Sequence, residues 1–591
     1  MKKFTLTTPI PQAVSEALST FHPLVQHILY RAGVEDLAQA KAFLAPEYTK
    51  LSDPSLFADM DRATSRLVAA LKNSEHIGIY ADYDADGIPG ACILNNTLRA
   101  CGIPEEKITV YIPHRHYEGY GVHRTAVEEL QSKGVQLLLT VDVGITEYET
   151  LTWLQQQGID VIVTDHHEMP VRIPEVLAVI HPARDPYPDA KLCGAAVAFQ
   201  LMRSLIQTLQ TAKDIPEYIT VPHIGWEKWL LDLVGLATLS DMVPLVGENR
   251  IFAWYGMQVM AKTRNYGLKA IMDHQRLRPH FLTETDVVFS ITPRLNAASR
   301  MDHPMRAFDL LQSDNAADAL TATKFLESLN TKRKTTVARI MKIVHDRLGK
   351  RTHLPEVVVV GERTWEQGVL GLIASKITET YNVAAFVWSE QSEGMIKGSC
   401  RSANGIHLVE LMRSVPTETW HHFGGHAGAG GFALDVKDLL HLEETLNTGL
   451  KNKRKEVVIA VDEEITIDAI LKPVEITPIL YATLRSCAPF GVGNPSPVIA
   501  VEGYIHRIEM FGKAKEHLKL VLWDQQGNQI EAVAFYRTVD DLSYSPPKSA
   551  VENPDTTKVY VIGSIEQDTF GYKKQLRMRL DDVVEVVYKN L

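Results

Sequence analysis

Four apolar runs in the chain end in carboxylates or imidazoles. IGIY leads into Asp82, Asp84 and Asp86; LLLTV into Asp142; VIVT into Asp165, His166 and His167; and LVGLATLS into Asp241. One aspartate after an apolar run is most often a helix cap or turn residue. Independent caps, however, do not require every acid cluster to share one sheet edge with paired histidines among them. Carboxylates gathered this closely repel strongly unless cations neutralise them. Hard oxygen donors, one or two imidazoles and no thiolate suit Mn²⁺ or Mg²⁺ rather than a structural zinc. There are donors enough for two ions, which a shared carboxylate would hold about 3.5 to 4 Å apart, a spacing suited to activating water and stabilising a phosphoryl group. Asp142, alone on its strand and centrally placed, is the best candidate for the bridge.

The elements that must position these groups are βα repeats. From residue 76 to about 245, short apolar runs (IGIYADYD, KITVYIP, QLLLTVD, DVIVTDHH, VLAVIHP) alternate with amphipathic stretches. That alternation predicts a parallel sheet covered on both faces, with ligands beyond the carboxyl ends of its strands. Residues 1–75 read as a mostly helical segment. From Asn315 to about Gly349, Leu326, Leu329, Val337, Ile340, Ile343, Val344 and Leu348 recur at helical spacing with no internal Pro or Gly, predicting one long helix that links two domains. EVVVVGE, GVLGLIASKITETY and AAFVWSE begin a second α/β pattern, which closes near the basic run KNKRK. Beyond it, five strand-like runs in about a hundred residues fit a small closed barrel of OB type. The expected fold is therefore α/β: two α/β domains joined by a long helix, plus a C-terminal OB-fold β-barrel. The expected boundaries are 1–75, 76–310, 311–350, 351–457 and 458–591.

At 591 residues, a single core is ruled out. With 45% hydrophobic and 23% charged residues the chain is an ordinary folded protein. The net charge of −11 argues against a surface coated in basic residues for nonspecific duplex binding, but leaves room for one basic channel. Five scattered cysteines without a CxxC pair support neither a disulfide framework nor a zinc finger. No apolar run approaches the ~20 residues of a membrane span, and MKKFTLTTPIPQAV lacks a signal-peptide core, so no membrane partner and a cytoplasmic location are expected.

DYDADG (82–87), VDVGIT around Asp142, DHH (165–167) and LSDMVPLVGENR from 239 resemble the four motifs of the DHH phosphoesterase superfamily. PHRHYEGYGV, YPDAKLCGAAVAFQL, PRLNAASRM, GSCRS, FGGHAGAGGF and PFGVGNPSP resemble, in order, segments of its RecJ family of single-strand-specific exonucleases. The resemblance implies a DHH domain, a DHH-associated domain, and a metal-dependent 5′-to-3′ exonuclease that degrades single-stranded DNA to mononucleotides in repair and recombination with two Mn²⁺ or Mg²⁺ ions. It also implies single-strand-binding protein and a RecQ-type helicase as candidate partners. Carried over residue by residue, the metal ligands are Asp82, Asp84, Asp86, Asp142, His166 and Asp241, with His167 facing the scissile phosphate and Asp142 and Asp165 completing the catalytic set. Which first-motif acids touch metal stays open. Two departures stand out. Ile88, Pro89 and Gly90 replace a small residue, Thr and Ser, removing possible hydrogen bonds to the acids. Glu366, after Trp365, replaces a His.

In the second domain, the resemblance assigns substrate contact to Arg401, Ser402 and His426, with Gly424 and Gly425 letting backbone amides approach a phosphate; the bland alternative is a Gly-rich turn between strand and helix. Arg294, Asn296 and Arg300 are read the same way. A cleft between the two α/β domains would admit one strand and exclude a duplex. On the barrel, Tyr504, His506, Arg507, Phe511, Lys513, Lys515, Lys519, Tyr572, Lys573, Lys574, Arg577 and Arg579 interleave aromatics with cations, as sequence-tolerant single-strand binders do. Two other readings compete: a DHH phosphoesterase of short oligonucleotides, cyclic dinucleotides or pyrophosphate, and a noncatalytic replication or repair scaffold. The length and barrel count against the first, and the complete set of acids against the second.

Overall fold

The computed structural model describes residues 3–184, 186–392, 394–458, 464–512, 515–544, 557–568 and 575–586. The chain forms two compact units, one of residues 1–51, 242–254 and 462–591 and a larger one of 52–241 and 255–461. The smaller unit begins with strand β1 (Lys3–Leu6).

In the larger unit, β2 (Ile77–Ala81), β3 (Ile108–Tyr111), β4 (Leu137–Val141), β5 (Asp160–Thr164) and β6 (Ala178–Ile180) form an all-parallel sheet in the order β3-β2-β4-β5-β6. Every residue of β2 and β4 is buried, which explains their continuous apolar runs. The chain goes from β2 to β3 on one side and then to β4 on the other. The strand order thus reverses between β2 and β4, the point where open α/β sheets bind ligands. Register completes the placement: Ala81 pairs with Val141 and Val141 with Thr164, so Asp82, Asp142 and Asp165 each follow at the same height.

LVGLATLS is not a strand. It lies in the helix Leu231–Ser240, and Asp241 is that helix's C-cap. The run is buried on all sides from Leu231 to Leu239, so its pattern carries no helical period and resembles an interior strand. The acid arrives at the sheet edge from a helix end instead.

The helix Thr292–Met301 and the long helix Ala316–Leu348 follow. The long helix is 33 residues, about 50 Å. Its second half packs Val337, Ile340, Met341, Val344 and Leu348 into the core under the next sheet. That sheet is mixed, ordered β10-β11-β9-β8-β7, with β7 (Val357–Gly361) parallel to β8 (Ala384–Ser392) and β9 (Met395–Arg401), β10 (His422–Gly425) and β11 (Ala429–Asp435) antiparallel. FGGHAGAGGF is therefore the hairpin β10–β11 rather than a strand-to-helix turn.

In the smaller unit, β1 pairs with β12 (Glu464–Ile467), and β13 (Ala469–Leu471) lies beside β14 (Ile499–Phe511). β14, β15 (His517–Trp523), β16 (Gln529–Ala534), β18 (Leu576–Glu585) and β17 (Lys558–Gln567) close into a five-stranded barrel through the β14–β17 pairing. One core unites the barrel with the N-terminal helices, joining Leu18, Ile28 and Leu29 to Ile499, Leu520 and Val561. Among the described residues, no helix is long and apolar enough to cross a membrane.

Candidate metal centre and phosphate groove

At the carboxyl edge of β2, β4 and β5 the acids converge on two imidazoles. His166 Nε2 lies 3.1 Å from Asp142 Oδ1 and 3.7 Å from both Asp86 Oδ2 and Asp241 Oδ2. Three donor groups have ligand atoms within 4.8 Å of one another: Asp86, His166 and Asp241; Asp82, Asp84 and Asp142; and Asp142, His166 and His167. Asp142 belongs to two of them. These sets fit divalent cations on a specific observation: Asp82 Oδ1 and Asp142 Oδ1 are buried and make no hydrogen bond. Such orphaned anionic oxygens are costly without a cation.

The surrounding backbone fixes these carboxylates. Asp86 accepts the Gly194 N–H at 2.6 Å and the Ala195 N–H at 2.8 Å, while Asp84 accepts from the Asp86 and Gly87 amides. Only glycine fits at 194, where a Cβ would stand 2.6 Å from that of Asp142. At Gly90, one of the departures from the family pattern, a Cβ would stand 2.5 Å from Val141. Asp142 itself sits at φ +62°, a left-handed conformation that a non-glycine residue adopts only when its surroundings impose it. Burial first, then neighbouring carboxylates, pushes Asp82 and Asp142 far above the usual range and raises Asp241 to about 9. Burial also raises Asp86, though the charge of His166 opposes the rise.

Asp165 differs from these acids. Burial opposes its ionisation, but the hydrogen bond and charge of His167 and the amides of Ile145 and His167 outweigh it and hold the carboxyl low. His167 Nδ1 lies 2.8 Å from Asp165, and although burial works against its charge, this partner raises the imidazole to about 9. Asp165 thus orients His167 rather than joining the donor sets. The Tyr120 hydroxyl, 3.1 Å from His167 Nδ1, adds a contact that the sequence does not announce.

Beside the acids lies a guanidinium cluster. Burial, then Arg115 and Arg333, pushes Arg300 down to about 9, still a cation at neutral pH, while Asp84 draws it the other way. Burial and Arg115 also depress Arg401. Neither Arg115, laid over the Tyr83 ring, nor Arg333 is among the residues singled out from sequence; Arg115 lies in the PHRHYEGYGV motif, which is the signal that could have found it. Arg300 Nη1 donates to the Gly368 carbonyl and so bridges the two α/β domains. Across that groove His426, exposed at the hairpin turn after Gly424 and Gly425, lies 3.7 Å from Glu168.

Arg294 does not join the groove. Its guanidinium is buried and donates to Glu327 at 2.8 Å and Gln275 at 2.6 Å, tying its helix to the long helix. Asn296 Oδ1 is buried with no hydrogen bond, and the Ser402 hydroxyl staples its own turn through the Ile406 carbonyl. Glu366 pairs with Arg339 at 3.0 Å on the exposed flank of the long helix.

On the barrel, among the described residues, three of the expected cations are paired: Lys519 and Arg507 with Glu509, and Arg577 with Glu566. Tyr504 accepts from Gln525, and His506 lies against Trp523. Lys515 stands in a left-handed turn at φ +53°, and Arg579 lies on β18. Lys513, Tyr572, Lys573 and Lys574 lie outside the described residues. Phe511 belongs to a ring cluster with His517, Phe535 and Tyr536, of which Tyr536 is 81% exposed.

A crevice of carboxylates and paired histidines at the switch point of a parallel sheet, beside an arginine-lined groove, defines a phosphoesterase of the DHH type. Residues 76–238 match the DHH family, N-terminal domain; residues 354–458 match the DHHA1 domain; and residues 467–582 match the RecJ OB domain. The single-stranded-DNA-specific exonuclease RecJ of Bacillus subtilis (strain 168) is 31% identical over 87% of this chain, which spans 63% of that relative's length. RecJ of Thermus thermophilus, in complex with Mn²⁺, superposes with a TM-score of 0.79 and 26% identity, covering 98% of this chain and 79% of that one. A manganese-bound exonuclease RecJ structure is 31% identical, with a TM-score of 0.58 over 68% of this chain and 97% of its own. The chain belongs to the RecJ family.

Proposed function

We propose that this protein is a cytoplasmic 5′-to-3′ exonuclease that degrades single-stranded DNA to mononucleotides in repair and recombination, using two Mn²⁺ or Mg²⁺ ions. The observation that carries the reading is the pair of orphaned, buried carboxylate oxygens on Asp82 and Asp142 beside a guanidinium cluster. In this reading Asp82, Asp84, Asp86, Asp142, His166 and Asp241 would hold the ions, Asp142 being the carboxylate common to two donor sets. When bound, the ions supply an activated water and neutralise charge on the phosphoryl oxygens. His167, kept protonated by Asp165, donates from Nε2 to a phosphate oxygen. Arg115, Arg300 and Arg401 take the backbone phosphates, and His426 with Gly424 and Gly425 closes the groove from the second domain. Residues 76–310 would be the catalytic domain, 311–350 the linking helix, 351–457 the substrate-binding domain and 458–591 the nucleic-acid-binding barrel, preceded by the helical segment 1–75. Single-strand-binding protein and a RecQ-type helicase are proposed as partners on the family resemblance alone.

The scaffold alternative calls for lost acids, yet the three donor sets are complete. Restriction to short oligonucleotides leaves the barrel's exposed rings without a use. The experiment compares single strands labelled at the 5′ or the 3′ end with the matching duplex, with and without Mn²⁺. The 5′ label should leave as a mononucleotide from the first turnover, only from single strand and only with metal. Early release of the 3′ label, or equal attack on duplex, would overturn the reading.

A further inference from the structure

A second cavity, of about 340 Å³, opens in the larger unit, and none of the metal-donor residues lines it. Its lining includes Trp226, Trp229 and Tyr266, together with Arg99, Arg264 and Asn96. The Arg264 guanidinium lies 3.7 Å over the Trp229 ring and has no ion-pair partner among the described residues. Among the described residues Arg99 pairs only with the exposed Glu105, at 3.6 Å. A guanidinium stacked on an indole keeps its N–H edge free, in the geometry that takes a phosphate bidentately. The flat indole and phenol walls suit a planar base, and the Asn96 amide offers a donor and an acceptor to a base edge. Two carboxylates also line the space. Asp232 is buried and occupied by the Leu233 N–H and the Thr263 hydroxyl, and Asp314 is exposed.

The cavity is separate from the cleavage site but shares its supports. The helix Gly87–Ala100 starts from Asp86 at its N-cap and carries Asn96 and Arg99 in its last turns, about 15 Å along its axis. The helix Leu231–Ser240 runs from Asp232 to Asp241. Both helices that deliver donor carboxylates therefore reach the cavity with their other ends.

We propose that this cavity is a second nucleotide site that takes a nucleoside 5′-monophosphate, its base among Trp226, Trp229 and Tyr266 and its phosphate on Arg99 and Arg264. That this ligand is also the product of cleavage rests on the function proposed above; its binding does not. The test is equilibrium dialysis of labelled dAMP against the full-length protein in EDTA, where no cleavage can occur. Arg264→Glu and Trp226→Ala, each checked for folding by thermal unfolding, should weaken the binding about tenfold or more, whereas Arg401→Ala in the groove should leave it unchanged. Absence of saturable binding, equal binding by wild type and both cavity variants, or a loss confined to Arg401→Ala would overturn the inference. A failed nuclease assay with intact dAMP binding would refute the cleavage reading and leave the cavity standing.

Discussion

On the barrel, Lys519 stands 2.7 Å from Glu509 and Arg577 2.6 Å from Glu566, while at the edge of the parallel sheet Asp82 and Asp142 keep buried oxygens with no hydrogen-bond partner. Among the described residues, the barrel pairs Arg507, Lys519 and Arg577 with its own carboxylates and presents rings, with Tyr536 81% exposed beside Phe535 and His517. The sheet edge instead concentrates carboxyl groups in a desolvated crevice, where burial and their neighbours oppose ionisation. Exposed pairs contribute little to stability, ~0 to 1 kcal/mol. A buried set of like charges costs stability until a cation arrives, so binding free energy and folding free energy are linked there. The barrel suits a sequence-tolerant hold on a strand, and the sheet edge a demand for metal.

The largest effect should come from the bridge. Asp142→Asn is expected to reduce cleavage by about 10³-fold or more, because two of the three donor sets lose a shared carboxylate. The same variant, without metal, should unfold at no lower a temperature, since it replaces a carboxyl whose ionisation burial and its neighbours already oppose. Calorimetry in EDTA reads this directly, and a lower melting temperature would break the contrast. The pH dependence has the same origin. Asp241 titrates at about 9 when folded and 3.8 in the unfolded chain, so between those values the folded state binds more protons and stability falls as pH rises. Saturating Mn²⁺ should flatten that slope in thermal unfolding from pH 5 to 9.

Next in size is the guanidinium cluster. Arg401→Ala should weaken single-strand binding by ~1.5 to 3 kcal/mol through loss of a charge-assisted contact, read by anisotropy in EDTA. Replacing Phe535 and Tyr536 together with Ala should cost about 1 to 3 kcal/mol per stacked base on long strands and leave cleavage of very short ones unchanged. An equal loss on both substrates would assign those rings to barrel stability. The smallest effect belongs to Glu366→Gln. With its carboxylate on Arg339, the substitution should cost at most about 1 kcal/mol of stability and leave DNA affinity unchanged at low salt.

The features legible from sequence are those that burial and period impose. β2, β4 and β5 are continuous apolar runs because both sheet faces are covered, and the acids that follow them are read in register without coordinates. The long helix shows its period because one face stays wet, and it spans Ala316–Leu348 against the expected 315–349. Asp241 reads as a strand end because its helix has no wet face to mark a period. Arg294 and Arg300 sit six residues apart in one motif, yet one locks two helices and the other faces Asp84; that choice depends on Glu327, distant in sequence. Glycines announce a close approach, but only strand pairing shows that FGGHAGAGGF is a hairpin.

Whether the buried carboxylates form a two-ion site organised by Asp142 is read by counting Mn²⁺ with electron paramagnetic resonance in a titration of wild type and Asp142→Asn. Two ions should bind per wild-type chain, and binding of both should weaken in the variant, because one carboxylate serves two donor sets. Wild-type stoichiometry and affinity in Asp142→Asn would contradict it.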